Sequence, residues 1–570
     1  MIENLASVRI AFSAPPGWLK DAAVLLFVLT AVFGFDLGSR ALWNPDEGRY
    51  AEIPREMVIT GDYVTPRLNG VKYLEKPPLF YWLQAGAIKL FGLNEWSLRF
   101  WGALFAVLGC LAVYAAGRGL YGRQSGLFSA AALATAPLYY FMSRIVNPDM
   151  TVSVLLTISL LAFLFGVREF PERVRRGYLT VFYLCAGLAT MTKGLIGIVI
   201  PGAIIGVWIM LLGEWRLLRR IYLPSGLAIF LLIAAPWHIL VARANPEFLQ
   251  FYFIHEHFQR YLTTVHHRYE PVWFFVPVLL GGFLPWTMFI VQALRDALSW
   301  KRVDFHRDRE ALFLIVWAAV VFLFFSLSRS KLVPYVLPAV PPLALLIGRY
   351  LARSTAAVGR RASETALAAV LAGATVTAIA AVIISLPAAT SGQIGPYLHR
   401  IEDYGVIWVV TFGALAVLMW GLFRLMPRTA SLTALAVFSG FALSATAAVL
   451  PKFDNHRSTK ELALRLKPRL SAHDEVMSYH TYYQDLPVYL GRRITVVDWE
   501  GELAFGLRQE DTQSWMINEK TFIERWQGSN RAYLFTDPRS LDHLRAEGVP
   551  LRVLAQTERT VLVTNGVSNP

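Results

Sequence analysis

The sequence predicts a polytopic α-helical membrane protein that ends in a small α/β domain. Of its 570 residues, 55% are hydrophobic and only 16% are charged, whereas an ordinary soluble chain has about 25% charged residues. Apolar runs long enough to cross a bilayer, about 20 residues each, recur as far as residue 450. Beyond that point short, strand-like segments replace them.

The composition excludes disordered proteins and sets of soluble domains, because too few charged residues are present to cover a water-facing surface. The net charge of +14 would suggest nucleic-acid binding in a soluble protein. In a membrane protein it indicates basic cytoplasmic loops that touch anionic lipid, so we expect no nucleic-acid partner. Cys110 and Cys185 both lie inside apolar runs, which argues against a disulfide framework.

Thirteen segments are apolar enough to be predicted as spans. The first, residues 18–38, has no small-residue cleavage site behind it, so we expect a retained anchor rather than a signal peptide. Residues 78–92 are also apolar, but this run is short and contains Gln84 and Lys89, which favours a helix in the membrane interface. The other twelve predicted spans are 96–118, 125–141, 151–167, 178–192, 194–213, 219–241, 271–293, 311–328, 332–351, 364–386, 404–424 and 431–450.

The basic residues orient these spans. Loops on one side carry most of the lysines and arginines, and the positive-inside rule places that side, with the amino terminus, in the cytoplasm. An odd number of spans then places the carboxyl-terminal tail outside. The short outer loops carry only Arg144, Lys193, Arg329, Lys331 and Arg400.

The chain therefore divides near residue 450. Residues 1–450 form the predicted transmembrane catalytic domain, in which two long outer loops, 39–95 and 243–270, roof the active site. Residues 451–570 form the predicted external α/β domain. Its strands are expected at 475–480, 493–497, 532–536 and 561–564, and its helices at 458–470 and 520–526.

The outer side is where a reaction is expected, because carboxylates and histidines concentrate there while the inner loops carry little besides arginine. Transporters place broken helices and polar residues at the middle of the membrane, whereas these spans are nearly free of polar residues at their centres. The pattern favours an enzyme at the outer membrane surface. A lipid or sugar transporter is the alternative from another class.

The first outer loop begins with an acidic pair, Asp46 and Glu47, after Pro45. Acids at this position stabilise the first turn of a helix through the helix dipole, which is the structural explanation of the pair. Its place directly after the first span, where an unneeded carboxylate is costly, favours a role in the reaction. Further along, Lys76 follows Glu75 and either extends its ammonium group to lipid phosphates or cradles a phosphate head group.

The second outer loop contains His255, Glu256, His257 and Arg260. Glu256 and Arg260 are spaced for a helical ion pair. One of the two histidines, but not both, can join Glu75 in holding a divalent metal ion such as zinc. One carboxylate and one histidine form an incomplete zinc site, so we favour a metal-free structural role.

Two further positions belong to the outer face. Asp149 and Lys193 lie at the outer ends of separate spans, and we expect a structural ion pair that braces the floor of the site. Tyr335 follows the basic turn at Arg329 and Lys331. This turn either anchors the chain at the lipid surface or supplies donors to a phosphate.

These residues resemble a known family. The segments LWNPDEGRYAEI at 42–53, YLEKP at 73–77, EHFQR at 256–260, LPW at 284–286 and GEL at 501–503 are similar to those of GT-C class glycosyltransferases, and more closely to bacterial undecaprenyl phosphate–aminoarabinose:lipid A transferases. The resemblance extends from the first span to the tail and is most specific in the first loop. His255 is its least typical position.

The resemblance implies a GT-C fold in the bacterial inner membrane with a periplasmic active site. The implied reaction moves 4-amino-4-deoxy-L-arabinose from undecaprenyl phosphate to lipid A phosphates, a lipopolysaccharide modification that confers resistance to polymyxin and cationic peptides. It also implies that Asp46 is the catalytic carboxylate. Implied substrate-binding residues are Lys76, Arg260 and Tyr335 at the donor phosphate, and Arg49, Tyr50, Tyr73, Glu47 and Glu502 around it.

An alternative within the same class is an enzyme that transfers a polyprenyl-phosphate-linked sugar to a protein or another glycan. A protein hydroxyl needs a general base, and Asp46 would have to serve. We expect the protein to act as a monomer.

Overall fold

The computed structural model describes residues 17–259, 270–298, 308–356 and 428–566. Helices occupy most of the described residues up to Phe453, and a mixed sheet begins at Glu475. In the amino-terminal part the α-helices of eight residues or more are Trp18–Gly34, Asp46–Thr60, Leu79–Phe91, Glu95–Tyr121, Arg123–Ala134, Asp149–Gly166, Glu172–Lys193, Ile196–Leu212, Leu223–Ala244, Phe275–Gly282, Ile290–Ala297, Arg309–Leu327, Val340–Ala356 and Arg428–Val449.

Six helices within these described ranges are long and apolar enough to cross a membrane, or seven if one bent pair is a single span. The chain is therefore a multi-pass helical membrane protein. The predicted total of thirteen spans is not tested by this number, because the predicted spans 364–386 and 404–424 lie outside the described residues. In addition, the helices Trp18–Gly34 and Ile196–Leu212, which lie in predicted spans, have 17 residues each and are not among the six.

Small residues allow the membrane helices to approach closely. A Cβ atom added at Gly117 would lie 3.0 Å from Gly126 Cα, so helices Glu95–Tyr121 and Arg123–Ala134 touch backbone to backbone there. One added at Gly348 would lie 2.0 Å from Ser129 Oγ. Packing of this kind replaces the hydrophobic driving force that is missing between helices in lipid.

The predicted span 271–293 is not one continuous helix. The segment contains two helical pieces, Val272–Gly282 and Trp286–Ala297, which meet at 105°. Pro285 lies at the break, where its missing N–H and its ring disfavour a continuous helix. The buried indole of Trp286 donates a hydrogen bond to Thr135 Oγ1 at 2.9 Å, which ties the corner to a neighbouring helix.

The predicted span 125–141 is also interrupted. Helix Arg123–Ala134 ends before Pro137, which begins a short helix, Pro137–Met142. A proline at the first helical position lacks only an N–H that would have no partner in the helix, so the chain stops one helix and starts another. The residues between them include Thr135, which receives the Trp286 bond.

The predicted interfacial segment 78–92 forms the helix Leu79–Phe91. One of its faces packs against the first-loop helix Asp46–Thr60, where Phe80 meets Tyr50 edge to face with ring centroids 5.8 Å apart. Gln84, fully buried, donates to the Leu98 carbonyl at 2.7 Å. Leu90 and Phe91 remain exposed at the other end, so the helix joins the first loop to the membrane helices.

Eight strands form two sheets in the part of the chain that the structure describes. In the first loop, β1 (Arg67–Leu68) pairs antiparallel with β2 (Val71–Lys72). The tail holds a six-stranded sheet in the order β5-β4-β3-β6-β8-β7, in which β8 alone runs antiparallel to the other five strands. These strands are β3 (Glu475–Tyr479), β4 (Thr495–Val497), β5 (Met516–Ile517), β6 (Ala532–Thr536), β7 (Arg552–Gln556) and β8 (Val561–Thr564).

Four tail strands lie where the alternating apolar pattern placed them, namely β3, β4, β6 and β8. The pattern did not predict β5 or β7. β5 has only two residues, and β7 is an edge strand whose side chains are largely exposed, so neither carries the alternation of a half-buried strand. The predicted tail helices are present as Lys460–Leu466 and Glu519–Trp526.

The tail sheet packs directly onto the first outer loop. Asn69, fully buried, exchanges two hydrogen bonds of 3.0 Å with the backbone of Ile494, next to β4. Arg67 forms a bidentate ion pair with Glu510, with both N···O distances at 2.9 Å. The loop and the tail therefore form one continuous layer at one end of the membrane helices.

We expect Asn69→Ala to loosen this layer, because the change leaves the Ile494 N–H and carbonyl buried without partners at a cost of about 1–3 kcal/mol. Limited proteolysis of the purified protein should then cut the tail faster than in the wild type. Arg552→Ala, on the exposed edge strand β7, is the control and should leave the cleavage rate unchanged. Equal cleavage of both variants would contradict this account of the docking.

Candidate active site

A cavity of about 540 Å³ opens where the first loop, the outer ends of the membrane helices, the second loop and the tail meet. Its walls come from distant parts of the chain, so only the tertiary structure brings them together. Ten of the residues singled out in the sequence line it: Asp46, Arg49, Tyr50, Glu75, Lys76, Asp149, Lys193, His255, Tyr335 and Glu502.

The helix Asp46–Thr60 brings Asp46 and Arg49 to the cavity. The Trp43 backbone N–H donates to Glu47 Oε2 at 3.0 Å, which ties the chain before the helix to its first turn. Asp46 pairs with Arg49 one turn later, and its side chain is 59% exposed toward the cavity side, whereas that of Arg49 is 9% exposed. Arg49 also lies 3.5 Å from Glu502 of the tail.

The prediction that Glu47 binds substrate is wrong. Its carboxylate, 2% exposed, points away from the cavity and contacts Arg99 Nε at 3.0 Å and Arg40 Nη2 at 2.8 Å. It also accepts the Val146 N–H at 3.1 Å. Burial by itself would raise the pKa of Glu47, but Arg99 and Arg40 outweigh burial and hold this pKa below its usual value. Glu47 therefore anchors the loop.

Tyr73 does not line the cavity, contrary to the prediction. It is 2% exposed and lies behind Arg49, whose guanidinium is 6.0 Å from the Tyr73 ring and 5.2 Å from the Tyr50 ring. Burial raises the pKa of both tyrosines, so both stay neutral near pH 7. They support Arg49 as a cation held over aromatic faces.

Lys76 joins the two outer loops. Its Nζ donates to the Glu75 carbonyl at 3.2 Å and lies 4.0 Å from Glu75 Oε2. It also lies 3.7 Å from Glu256 Oε2, whose side chain is 1% exposed. Glu256 comes from a π-helical segment of the second loop, Gln250–Gln259. Arg260, the other predicted phosphate ligand of this loop, lies outside the described residues.

The predicted metal ligands are only partly brought together. Glu75 and His255 both line the cavity, and the side chain of His257 lies outside the described residues. His255 Nδ1 contacts Glu256 Oε1 at 3.2 Å, and its ring stacks on Phe251. Glu75 and His255 do not belong to a group of three ligands within 4.8 Å of one another in the described part of the chain. Since Lys76 also places a positive charge beside Glu75, these residues do not fit a closed metal site.

Asp149 and Lys193 form a direct ion pair at the floor of the cavity, with side chains 13% and 11% exposed. Asp149 begins one membrane helix and Lys193 ends the next, so the pair joins their outer ends. Lys193 Nζ lies 4.8 Å from the ring centre of Tyr335. The predicted bracing pair thus also positions a cation beside Tyr335.

Several contributors to the site were not singled out in the sequence. Arg99 holds Glu47, and Phe505 of the tail stacks on Phe251 of the second loop with ring centres 3.6 Å apart. Asn147 and Arg508 also line the cavity. A charged residue within an apolar run is a recognised signal, and it could have identified Arg99 at the start of the predicted span 96–118. Phe505, Asn147 and Arg508 carry no comparable signal in the sequence.

The arrangement suits a ligand that carries both a negative and a positive charge. The cavity combines cations, Arg49, Lys76 and Lys193, with carboxylates such as Asp46 and Glu502. Oriented ammonium, guanidinium and phenol donors bind and stabilise phosphate oxygens, whereas nearby carboxylates favour a cationic group. The site therefore fits a phosphate-linked substrate that also bears a positive charge.

Comparisons with known proteins agree with this chemistry. The family described as dolichyl-phosphate-mannose-protein mannosyltransferase matches residues 75–240, and the aminoarabinose transferase C-terminal domain matches residues 462–565. The undecaprenyl phosphate-alpha-4-amino-4-deoxy-L-arabinose arabinosyl transferase of Edwardsiella ictaluri is 30% identical and aligns with 89% of this chain and 90% of its own length. The enzyme of that name from Erwinia tasmaniensis is 30% identical over 86% and 88%, respectively.

A solved structure is similar over nearly the whole chain. ArnT from Cupriavidus metallidurans bound to undecaprenyl phosphate has a TM-score of 0.82 and 31% sequence identity, and the match covers 98% of this chain and 100% of that one. Its apo form has a TM-score of 0.83 at 30% identity, with 97% and 99% covered. The likeness includes both the membrane helices and the tail.

We expect Glu47→Gln to destabilise the protein by about 3–5 kcal/mol, because it leaves Arg99 and Arg40 buried without their counter-charge. Thermal unfolding in detergent measures the effect. Glu172→Gln is the control, since Glu172 forms an exposed ion pair with Arg176, and such pairs contribute about 0–1 kcal/mol. A Glu47→Gln variant as stable as the control would show that this anchor is dispensable.

Proposed function

The chain belongs to the family of undecaprenyl phosphate-α-4-amino-4-deoxy-L-arabinose arabinosyl transferases, and from this membership we propose that lipid A phosphate groups are its acceptor. It is a membrane glycosyltransferase that takes aminoarabinose from an undecaprenyl-phosphate donor. The modification of lipopolysaccharide and the resulting resistance to polymyxin follow from that acceptor. The membership also supports the predicted GT-C fold.

The proposed reaction exchanges one bond at the anomeric carbon of the sugar. The bond from this carbon to the donor phosphate oxygen breaks, a bond to an oxygen of a lipid A phosphate forms, and undecaprenyl phosphate leaves. A phosphate monoester has its second pKa near 6, so the acceptor is already an anion near neutral pH. Such an acceptor needs little help from a general base, and the main task is to stabilise charge on the departing phosphate.

The observation that carries the proposal is the position of Lys76 in the cavity. Its ammonium group lies where the first and second loops meet, 3.7 Å from Glu256, and it lines the same cavity as Tyr335. We propose that Lys76 and Tyr335, with Arg260 from the second loop, hold the donor phosphate. Charge-assisted hydrogen bonds from such donors strengthen as the leaving oxygen gains negative charge.

The carboxylates serve the sugar. The exposed side chain of Asp46 is available to the ammonium group of aminoarabinose or to the positive charge that develops on the ring. A general-base role in attack by a protein hydroxyl fits Asp46 less well, because the Arg49 guanidinium already engages its carboxylate. This contact favours the lipid A phosphate over a protein or glycan acceptor.

Glu502 connects the tail to this chemistry. Gln484 Nε2 donates to Glu502 Oε1 at 2.9 Å, and Arg49 approaches the same carboxylate at 3.5 Å. We propose that Glu502 holds the guanidinium of Arg49 in place over the substrate. The tail then completes the wall of the cavity.

We also propose the membrane arrangement. The thirteen-span topology places the amino terminus in the cytoplasm and both the cavity and the tail in the periplasm, in the bacterial inner membrane. The clustering of arginines in the loops opposite the cavity supports it. The monomeric state, the metal-free role of Glu75 and His255 and the alternative of a divalent metal there stay predictions, and no step of the proposed reaction uses a metal.

Lys76→Ala should lower transfer by about 100-fold or more, a size typical of removing one donor that stabilises transition-state charge. The assay is mass spectrometry of lipid A after incubation with purified enzyme and donor, in which transfer adds a pentosamine to a phosphate. Lys89→Ala is the control, because Lys89 is an exposed lysine of the same loop that does not line the cavity. Full activity in Lys76→Ala would overturn the assignment of Lys76 to the donor phosphate. A glycosylated protein together with unmodified lipid A would overturn the assignment of lipid A as the acceptor.

Asp46→Asn should also abolish transfer while the donor still binds, because the phosphate ligands remain and only the negative charge near the sugar is lost. Donor binding and turnover are measured separately with purified protein. Asp62→Asn, at a first-loop position outside the cavity lining, is the matched control. Normal turnover by Asp46→Asn would remove Asp46 from the proposed chemistry.

A further inference from the structure

Five metal-ligating side chains lie at the carboxyl edge of the parallel part of the tail sheet. His480 follows β3, Asp498 follows β4 and Glu519 lies two residues after β5. His543 lies in the helix Pro538–Ala546 after β6, and Glu547 follows that helix. The carboxyl ends of parallel strands share one edge of a sheet, where α/β proteins commonly bind ligands. This edge is distinct from the catalytic cavity, whose lining contains none of the five residues.

Three of these side chains already converge. The ligand atoms of Glu519, His543 and Glu547 lie within 4.8 Å of one another, and this is the only such group in the described ranges. His543 Nε2 is 3.7 Å from Glu547 Oε1. The three side chains are 40%, 50% and 44% exposed, respectively, so a metal ion can reach them from solvent.

His480 approaches the same group from the neighbouring strand. Its Nε2 lies 3.9 Å from Glu519 Oε1 and 3.6 Å from Asp498 Oδ2. In a tetrahedral zinc site with bonds of about 2.0–2.2 Å, neighbouring ligand atoms are about 3.3 Å apart. Among the proposed ligands, the separations of 3.7 Å for His543–Glu547 and 3.9 Å for His480–Glu519 exceed this value slightly. Side-chain rotations would therefore be needed to bring the ligands around one ion.

A supporting contact orients the shared ligand. The Tyr479 hydroxyl donates a hydrogen bond to Glu519, and the Tyr479 ring stacks on His480 with ring centres 3.9 Å apart. Hydrogen bonds to ligating carboxylates are characteristic of metal sites, where they fix the ligand and tune its basicity. Tyr479 is itself buried, so this support belongs to the rigid sheet.

We propose that Glu519, His543 and Glu547, together with His480, form a zinc site in the tail. Two imidazoles and two carboxylates suit zinc better than calcium or magnesium, which prefer oxygen ligands alone. The ion would offset the mutual repulsion of three carboxylates, counting Asp498, at one sheet edge. It would also join β3, β5 and the helix after β6 in a single cross-link.

The cross-link lies beside the segments that reach the active site. The chain continues from His480 to Gln484, and from Asp498 to Glu502, and these two end residues share a hydrogen bond at the cavity wall. Zinc bound to His480 would therefore stiffen the base of the segment that leads to Gln484. Metal binding does not depend on the proposed transfer reaction.

The test uses the full-length purified protein, stripped of metal with a chelator and then titrated with Zn²⁺, with Co²⁺ as the spectroscopic probe. To remove any binding in the catalytic cavity, the titration is made in a Glu75→Gln, His255→Gln background. We expect one equivalent of metal per chain and the intense visible absorption of tetrahedral Co²⁺. His543→Gln and Glu519→Gln should each weaken binding by about tenfold or more, an effect reported even for changes next to metal ligands.

The matched control is His473→Gln, because His473 is an exposed histidine of the same tail outside the cluster, and it should leave the affinity unchanged. Glu547→Gln is a third change at a proposed ligand, and it lies at an exposed position after a helix. Size exclusion checks that this variant protein is folded. Absence of stoichiometric binding in the cavity-deleted background would overturn the proposal. So would equal affinity of the His543, Glu519 and control variants.

Discussion

The ion pairs of the buried Glu47 carboxylate are the interactions on which the rest of the structure depends. The carboxylate balances two arginines, Arg99 at the start of a membrane helix and Arg40 in the loop itself, in a place where either charge alone would be strongly destabilising. Other N–H groups of the Arg99 guanidinium donate hydrogen bonds to the carbonyls of Leu37, Arg40 and Ala41. The first outer loop is thereby tied to the membrane helices, and Asp46 and Arg49, its neighbours on the same helix, are held at the cavity.

The tail depends on that anchored loop. Asn44 accepts the Asp485 N–H at 2.9 Å, and the Asp485 carboxylate accepts bonds from Ser458 and Thr459. A Cβ atom at Gly48 would lie 2.4 Å from Asp485 N, so only a glycine permits this approach of the tail to the loop helix. Because the tail sits so close, Glu502 reaches Arg49, and an external domain becomes a wall of the cavity.

In the proposed reaction, the cavity acts through charges that are held in place rather than through one reactive group. Arg49 lies over two neutral tyrosines, Lys193 is balanced by Asp149, and Lys76 lies near Glu256. Each cation is thus pre-positioned, and little reorganisation is needed when charge develops on a leaving phosphate. Two residues that were predicted to contact the substrate do not line the cavity. Glu47 instead anchors the loop through Arg99 and Arg40, and Tyr73 lies behind Arg49.

The amino-acid sequence by itself determined the membrane class, most tail strands and ten predicted site residues that line the cavity. It could do so because apolar length, charge asymmetry and strand alternation are local properties of the chain. Only the tertiary structure decided which way each side chain faces: Asp46 and Glu47 are adjacent, yet one lines the cavity and the other is buried under Arg99. It also decided the break at Pro285, the contact between Phe251 and Phe505 and the convergence of His480 with Glu519, because these depend on packing between segments far apart in the chain.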